Sequence, residues 1–234
     1  MRRLFITLFL VLLLAFSAHA ASQATSSTAA STIITNVRYY LNEAAADVWS
    51  DAELLVYINN GIYDIVQRTH CLEATADVSL VANQHEYDFS ANSYITVVSV
   101  VFVDASTPTV EKGLLRKNVP GMGHGVKADG DPVYWYEWKS YIGIYPVPSS
   151  VTTEKLTVYY VSRPTALAST ASNITTPAIY DKALTLYVTA QALLKTGQSQ
   201  HGKSAAFMAD YYTELDRFRA DFIDQPKQTK DDIR

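Results

Sequence analysis

Few residues in this chain have the types and spacing that catalysis or metal binding requires. His70 and Cys71 are adjacent, but neighbouring side chains rarely converge on one metal ion, so we interpret them as a helix-end histidine beside a small buried thiol. His124 lies in a glycine-rich loop and could serve a secreted enzyme together with Asp129 or Asp131. That loop lacks the Gly-Lys-Ser/Thr continuation of a phosphate-binding loop.

Three carboxylates, Asp129, Asp131 and Glu137, could also form a calcium-binding or acid–base cluster. Their spacing lacks the glycine and the closing glutamate of an EF-hand loop, and Asp-Gly-Asp-Pro is typical of a turn. We therefore predict no catalytic residue, no metal and no cofactor. The chain is predicted not to be an enzyme.

An aromatic run is the most distinctive cluster, and it comprises Tyr134, Trp135, Tyr136, Trp138, Tyr141 and Tyr145. Strand alternation places Tyr134, Tyr136 and Trp138 on one face and Trp135 on the other. The run could fill a small sheet core through cross-strand aromatic pairs, or it could form an exposed platform for a sugar or a protein. Tyr134, Tyr136 and Trp138 are therefore candidate partner-binding residues.

Composition limits the classes of protein that remain. The 234 residues have a formal net charge of −4 and lack the basic composition of a nucleic-acid-binding protein, so we do not expect direct DNA binding as the main role. One cysteine excludes an intrachain disulfide. The length allows one domain with a sizeable core.

The first 20 residues have the pattern of a secretory leader. Arg2 and Arg3 precede an apolar run over residues 4–16, and Ala18-His19-Ala20 is typical of a cleavage site. The run is shorter than the roughly 20 residues of a membrane span, although an uncleaved signal anchor remains an alternative. We expect a flexible lead-in over 21–31, one domain over 32–223 and a charged tail over 224–234.

Two helices are predicted at the start of the domain, over about 32–42 and 51–69. Ser50 and Glu53 form a capping box at the second helix, and apolar residues follow at helical spacing. Two more helices are predicted, over about 179–194 and about 203–222. Gly197 is placed to end the first of these two helices.

The β region lies between these helix pairs, over 75–162. Residues 78–81 and 85–89 flank a polar turn and predict one hairpin, and residues 133–138 and 141–145 predict a second. Further strands are expected over 95–104, 114–116 and 155–161. The predicted fold is α+β: the N- and C-terminal helix pairs form one small bundle, and an antiparallel, sandwich-like sheet is inserted between them.

The order of several short motifs resembles the head–tail connector, or adaptor, proteins of tailed bacteriophages. The chain matches their motifs in Trp49-Ser50-Asp51-Ala52-Glu53-Leu54, in Tyr87-Asp88-Phe89, in Pro132-Val133-Tyr134-Trp135, in Ile142-Gly143-Ile144-Tyr145-Pro146-Val147-Pro148 and in Tyr160-Val161-Ser162-Arg163-Pro164. Each motif is weak alone, and the shared order and spacing carry the resemblance.

The resemblance implies a structural role in the virion neck. Such proteins form rings of about twelve copies beneath the portal, extend the DNA channel without binding DNA specifically, and dock the tail or another neck protein. The helical bundle supplies contacts between copies, and the C-terminal segment reaches the portal. Its candidate contacts here are Pro226, Lys227, Lys230 and Arg234.

The leader departs from this pattern, since phage necks assemble in the cytoplasm. It implies contact with a membrane or the export machinery, and a periplasmic or secreted location. The alternative function is therefore an exported, non-enzymatic domain that binds a glycan or protein through its aromatic sheet face.

Overall fold

Four helices, two from each end of the chain, pack together in the part of the chain that the structure describes. The computed structural model describes residues 26–43, 45–104, 109–118 and 129–218. The helices are α1 (Ala30–Leu41), α2 (Asp51–Thr69), α3 (Asp181–Lys195) and α4 (His201–Phe218). Short 3₁₀ turns over Ala178–Tyr180 and Gln198–Gln200 precede α3 and α4.

The central helix of this bundle is α3, which is buried along most of its length. α1, α2 and α4 each pack against it. Gly61 permits the approach of α2, because a Cβ atom there would lie 2.7 Å from Leu184 Cδ1. From α4, the Ser204 hydroxyl donates to the Ala190 carbonyl oxygen at 2.8 Å. The two ends of the chain thus share one hydrophobic core.

The helix bounds agree closely with the predictions. α2 spans the predicted residues, and the Ser50 side chain accepts a hydrogen bond from the Glu53 backbone N–H, which is one half of the predicted capping box. The Glu53 carboxylate accepts hydrogen bonds from Lys195 and Tyr57. Gly197 follows α3 with a φ of 94°. α1 begins at Ala30, where residues 26–30, placed by the sequence analysis in a lead-in, form backbone hydrogen bonds with 172–176. The predicted end of the last helix, at 222, lies outside the described residues.

Two four-stranded sheets form the insert in the described part of the chain. The strands are β1 (Glu73–Ser79), β2 (Glu86–Asp88), β3 (Tyr94–Asp104), β4 (Val110–Gly113), β5 (Leu115–Arg116), β6 (Tyr134–Trp138), β7 (Tyr141–Tyr145) and β8 (Lys155–Ser162). The first sheet has the order β1-β8-β3-β4 and the second β2-β7-β6-β5. All pairs are antiparallel except β5 with β6.

The two sheets enclose a second core. The first sheet contributes Val100, Phe102, Leu156 and Val158, and the second contributes Tyr87, Trp135, Ile142 and Ile144. These side chains alternate with outward-facing residues along each strand, as expected for a sandwich. The α+β fold class with a sandwich-like insert is confirmed.

The first predicted hairpin is wrong. β1 pairs with β8 and β2 pairs with β7, so the two segments belong to different sheets. Both segments carry alternating apolar residues, and the two sheets bury them in the same core from opposite sides. The local pattern cannot distinguish strands in facing sheets from strands that pair directly. The second hairpin is confirmed: β6 pairs with β7 across a turn at Lys139 and Ser140.

The hydrogen bond between α4 and α2 provides a test of bundle packing. Tyr211 is fully buried, and its hydroxyl donates to Asp64 Oδ2, which also accepts from Arg68 Nε at 2.8 Å. Burial, followed by the contact with Asp64, raises the Tyr211 pKa. We expect Tyr211→Phe to lower the free energy of unfolding by about 2 kcal/mol, the range for hydrogen bonds to charged groups.

Urea unfolding followed by circular dichroism measures this loss. Tyr212→Phe is the matched control, because Tyr212 is exposed and its ring, over which Arg68 lies, is retained. Equal stability of the two variants would contradict the assigned role of the Tyr211 hydroxyl.

Candidate partner-binding surface

The aromatic run lies where the register of β6 and β7 places it. Tyr134 pairs with Tyr145, Tyr136 with Gly143 and Trp138 with Tyr141, so these side chains share the outer side of the second sheet. Trp135 pairs with Ile144 on the inner side, within the sandwich core. The core interpretation therefore holds for Trp135 on the inner side, and the platform interpretation of the outer side stays a prediction. We call the outer side the aromatic face.

Exposure varies across the aromatic face. Trp138 is 52% exposed and Leu115, beside Tyr134 in the register, is 62% exposed. Lys117 Nζ lies 3.6 Å from the centroid of the Tyr134 ring, a cation–π contact at the same edge. Accessible apolar area is therefore concentrated at the two ends of β6.

Tyr136 supports this face rather than forming its accessible part. The side chain is only 2% exposed, and its ring lies across Gly143. The hydroxyl donates to Glu86 Oε1 at 2.9 Å. Burial and then this carboxylate raise the Tyr136 pKa. The sequence analysis did not predict the role of Gly143. A glycine inside a strand, opposite an aromatic residue, is the pattern that could have indicated it.

The residues considered for catalysis or metal binding have local structural contacts. His70 ends α2 in a left-handed conformation, and burial raises the pKa of the neighbouring Cys71 thiol to about 11, which makes it a poor nucleophile at neutral pH. Asp129 accepts hydrogen bonds from the Ser149 backbone and hydroxyl. Glu137 forms an ion pair with Arg116.

No group of three or more metal-ligating side chains occurs among the residues that the structure describes. His124 and the tail candidates Pro226, Lys227, Lys230 and Arg234 lie outside those residues.

A pocket between α1 and the start of α3 was not predicted. Its volume is about 360 Å³, and it is lined by Thr28, Thr32, Asn36, Tyr39 and Asp181, among others. Asp181 Oδ2 accepts hydrogen bonds from the Ser26 and Thr28 hydroxyls, whereas its buried Oδ1 has no hydrogen-bond partner among the described residues. The contributing residues are far apart in sequence, so no local pattern indicates the pocket.

The motif around Trp49 joins α2 to both helices beside it. Trp49 Nε1 donates to the Ala192 carbonyl oxygen at 2.9 Å. Arg38 of α1 donates to the Trp49 carbonyl oxygen at 2.8 Å and to Asp51 at 2.7 Å. Glu53 forms an ion pair with Lys195 at 2.6 Å. These residues therefore have structural roles in the bundle.

Comparison with known proteins identifies the family of the chain. A family model described as SU10 adaptor protein matches residues 28–231. The chain belongs to the SU10 adaptor protein family. A search of curated proteins finds no match.

Membership in the SU10 adaptor family indicates a structural adaptor of a bacteriophage particle that interacts with portal and tail proteins. The bundle and sandwich described above both lie within the matched residues, so family membership covers both parts of the fold. Within the described part of the chain, every helix is too short or too polar to cross a membrane.

The carboxylate of Glu43 makes the link between α1 and α2 sensitive to pH. Its side chain is largely buried, which opposes ionisation, but backbone N–H groups of Val48, Trp49 and Asp47, together with Arg38, lower the Glu43 pKa below its ordinary value of 4.5. The ionised form is therefore favoured by folding.

We expect Glu43→Gln to lower the free energy of unfolding by about 2 kcal/mol at pH 7. Since the folded pKa is depressed, this contribution is complete above about pH 4.5 and is lost as the pH falls through the folded value. The two proteins should converge in stability toward pH 3, as measured by urea unfolding at each pH. A pH-independent difference would contradict an ionic role of Glu43.

Gly143 tests the packing of the aromatic face. A Cβ atom at this position would overlap the Tyr136 ring, so we expect Gly143→Ala to lower the free energy of unfolding by about 1–3 kcal/mol. Gly113→Ala is the control, because nothing lies within 4 Å of the added methyl group. Thermal unfolding compares them, and equal stability would contradict the close contact of Tyr136 with Gly143.

Proposed function

We propose that this chain is a subunit of a ring in the virion neck, located between the portal and the tail. The observation that carries the proposal is the family match over residues 28–231. The ring, of about twelve copies, extends the DNA channel below the portal. The role is structural and needs no catalytic residue, metal or cofactor.

Two parts of the chain are proposed as contacts with other virion proteins. The tail over 224–234, with Pro226, Lys227, Lys230 and Arg234, docks on the portal; its charged composition has no apolar face of its own to bury, which suits a segment that orders on a partner. The aromatic face docks a tail or neck protein, because Trp138 and Leu115 offer exposed apolar area next to tyrosines.

DNA is proposed to pass through the channel without specific binding. The formal net charge of −4 gives the subunit no excess of cations to neutralise phosphates, so DNA can move past it without adhering.

One observation favours a second candidate function. The leader-like pattern over residues 1–20 is typical of exported proteins. An exported, non-enzymatic binding domain would use the same aromatic face for a glycan or protein partner.

Mass spectrometry of N-terminal peptides distinguishes the two functions. We would analyse purified phage particles, the periplasm and the culture medium of infected cells. Peptides recovered from particles, with any start residue, support the adaptor function. Recovery only outside the cytoplasm, beginning at or near Ala21, would contradict it and support the exported domain.

Deletion of residues 224–234 tests the portal contact. We expect phage carrying this deletion to accumulate DNA-filled heads from which this subunit and the tail are absent, because the segment that reaches the portal is lost. Quantitative mass spectrometry of purified heads measures the loss. Normal incorporation of the truncated subunit would contradict portal docking through the tail.

A matched variant separates charge from chain length in this test. Replacing Lys227, Lys230 and Arg234 with glutamine keeps the length of the tail and removes its cations. Incorporation that falls with the deletion but persists in this variant would assign the docking to the shape of the segment rather than to its positive charge.

A further inference from the structure

The edge strands of the two sheets differ in length. In the part of the chain that the structure describes, three of the four edge strands are short: β2 has three residues, β4 has four and β5 has two. The fourth, β1, has seven residues and pairs with β8 along its whole length, without a bulge or a proline. Short edge strands are one way in which proteins prevent unwanted strand pairing, and β1 lacks this protection. β1 is therefore the edge that is suited to receive another strand.

Two hydrogen bonds identify which backbone groups of β1 point away from β8. The Leu80 backbone N–H donates to the Glu154 carbonyl oxygen, and the Ser162 backbone N–H donates to the Leu72 carbonyl oxygen. The register of β1 and β8 is continuous between these two bonds. Since hydrogen-bonded pairs alternate along antiparallel strands, the even-numbered residues of β1 bond to β8. The odd-numbered residues direct their N–H and C=O groups outward, and they are Glu73, Thr75, Asp77 and Ser79.

We call the outward backbone groups of these four residues the β1 edge. No described residue forms a hydrogen bond with them, and β8 is the one described strand beside β1. The side chains of the four residues are exposed, so the backbone beside them is accessible. An open edge of this kind binds an extended segment through main-chain hydrogen bonds, which is the mode of β-strand addition.

The side chains of β1 specify the chemistry of such a segment. On the inner side, Ala76 and Val78 are half-buried and pack at the border of the sandwich core. Because these side chains are small, apolar side chains at alternate positions of an added strand would extend that core. On the outer side, Asp77 is paired with Lys155, whereas Glu73 forms no ion pair with any described residue. A lysine or arginine of the added strand would pair with Glu73.

A second copy of this chain does not match this edge. Pairing of β1 with β1 of another copy requires a two-fold axis, which joins two copies and does not continue around a ring. The other three described edge strands have at most four residues, so any of them would leave part of β1 unpaired. The matching occupant is therefore a segment of a different protein.

We propose that the β1 edge binds an extended segment of another protein of the virion neck, which becomes the fifth strand of the first sheet. The segment has about seven residues, the length of β1, with apolar residues at alternate positions and a lysine or arginine opposite Glu73. The inference rests on the proposed place of this chain in the neck. It adds a contact that is separate from the aromatic face, which lies on the second sheet.

Hydrogen exchange of single amides tests the proposal. In the purified chain, the amides of Thr75 and Asp77 should exchange fast and that of Ala76, bonded to β8, slowly. In purified phage particles, we expect exchange at Thr75 and Asp77 to slow by about 100-fold, because both amides then donate to the added strand. Mass spectrometry with electron-transfer fragmentation resolves these amides, and Ala76 is the internal reference because its hydrogen bond is present in both states.

Thr75→Pro closes the edge without breaking the pairing with β8. The substitution removes one outward N–H, and its ring blocks the approach of another strand, while an edge strand tolerates proline at such a position. Thr75→Val is the matched control, because it retains the N–H and the shape of the side chain. Circular dichroism verifies folding of both variants. In particles, we expect Asp77 to exchange as fast in Thr75→Pro as in the purified chain, and to stay slow in Thr75→Val.

Three results would overturn the inference. These are fast exchange of Thr75 and Asp77 in wild-type particles, slow exchange of Asp77 in Thr75→Pro particles, and slow exchange of both amides in the purified chain alone. The last result would assign the edge to a second copy of this chain. None of the three contradicts the adaptor function, whereas absence of the chain from particles would contradict that function and the inference together.

Discussion

Burial of α3 is the constraint on which the rest of the bundle depends. A helix that is apolar on nearly every side needs neighbours all around it, and no single segment can supply them. α1 and α2 come from one end of the chain and α4 from the other, so enclosing α3 brings the two ends together. The Trp49 indole, next to α2, and the Ser204 hydroxyl, in α4, each donate a hydrogen bond to a carbonyl oxygen of α3. The strands between the helices must leave the bundle and return to it.

The β sandwich is a second core with its own requirements. Its sheets meet over alternating apolar side chains, while the outer side of the second sheet retains aromatic residues that its own core does not use. The Tyr136 ring lies against Gly143, which has no side chain, and the Tyr136 hydroxyl donates a hydrogen bond to Glu86. This arrangement packs the base of the aromatic face and leaves Trp138 accessible beside it. A partly apolar surface outside the bundle is suited to contact with another protein.

Local patterns predicted the helices well because capping and apolar periodicity are properties of neighbouring residues. Ser50 and Glu53 indicated the start of α2, and the two-residue turn at Lys139 and Ser140 indicated the hairpin of β6 and β7. Strand partners were predicted less well. The alternation of apolar residues around residues 79 and 86 fits a hairpin and also fits two strands in facing sheets. In the folded protein the two strands lie in different sheets and bury their apolar residues in one core. The Asp181 pocket likewise joins residues from distant parts of the chain.

The sequence by itself determined the α+β order of elements, the bounds of α2 and the membership of the family, whose model matches residues 28–231. These depend on residues close together, where backbone geometry and side-chain type act directly. Only the tertiary structure decided the roles of those residues. It showed that Asp51 forms an ion pair with Arg38 of α1 and that Glu53 forms one with Lys195 of α3. Such relations depend on how distant segments pack, which no short pattern of residues specifies.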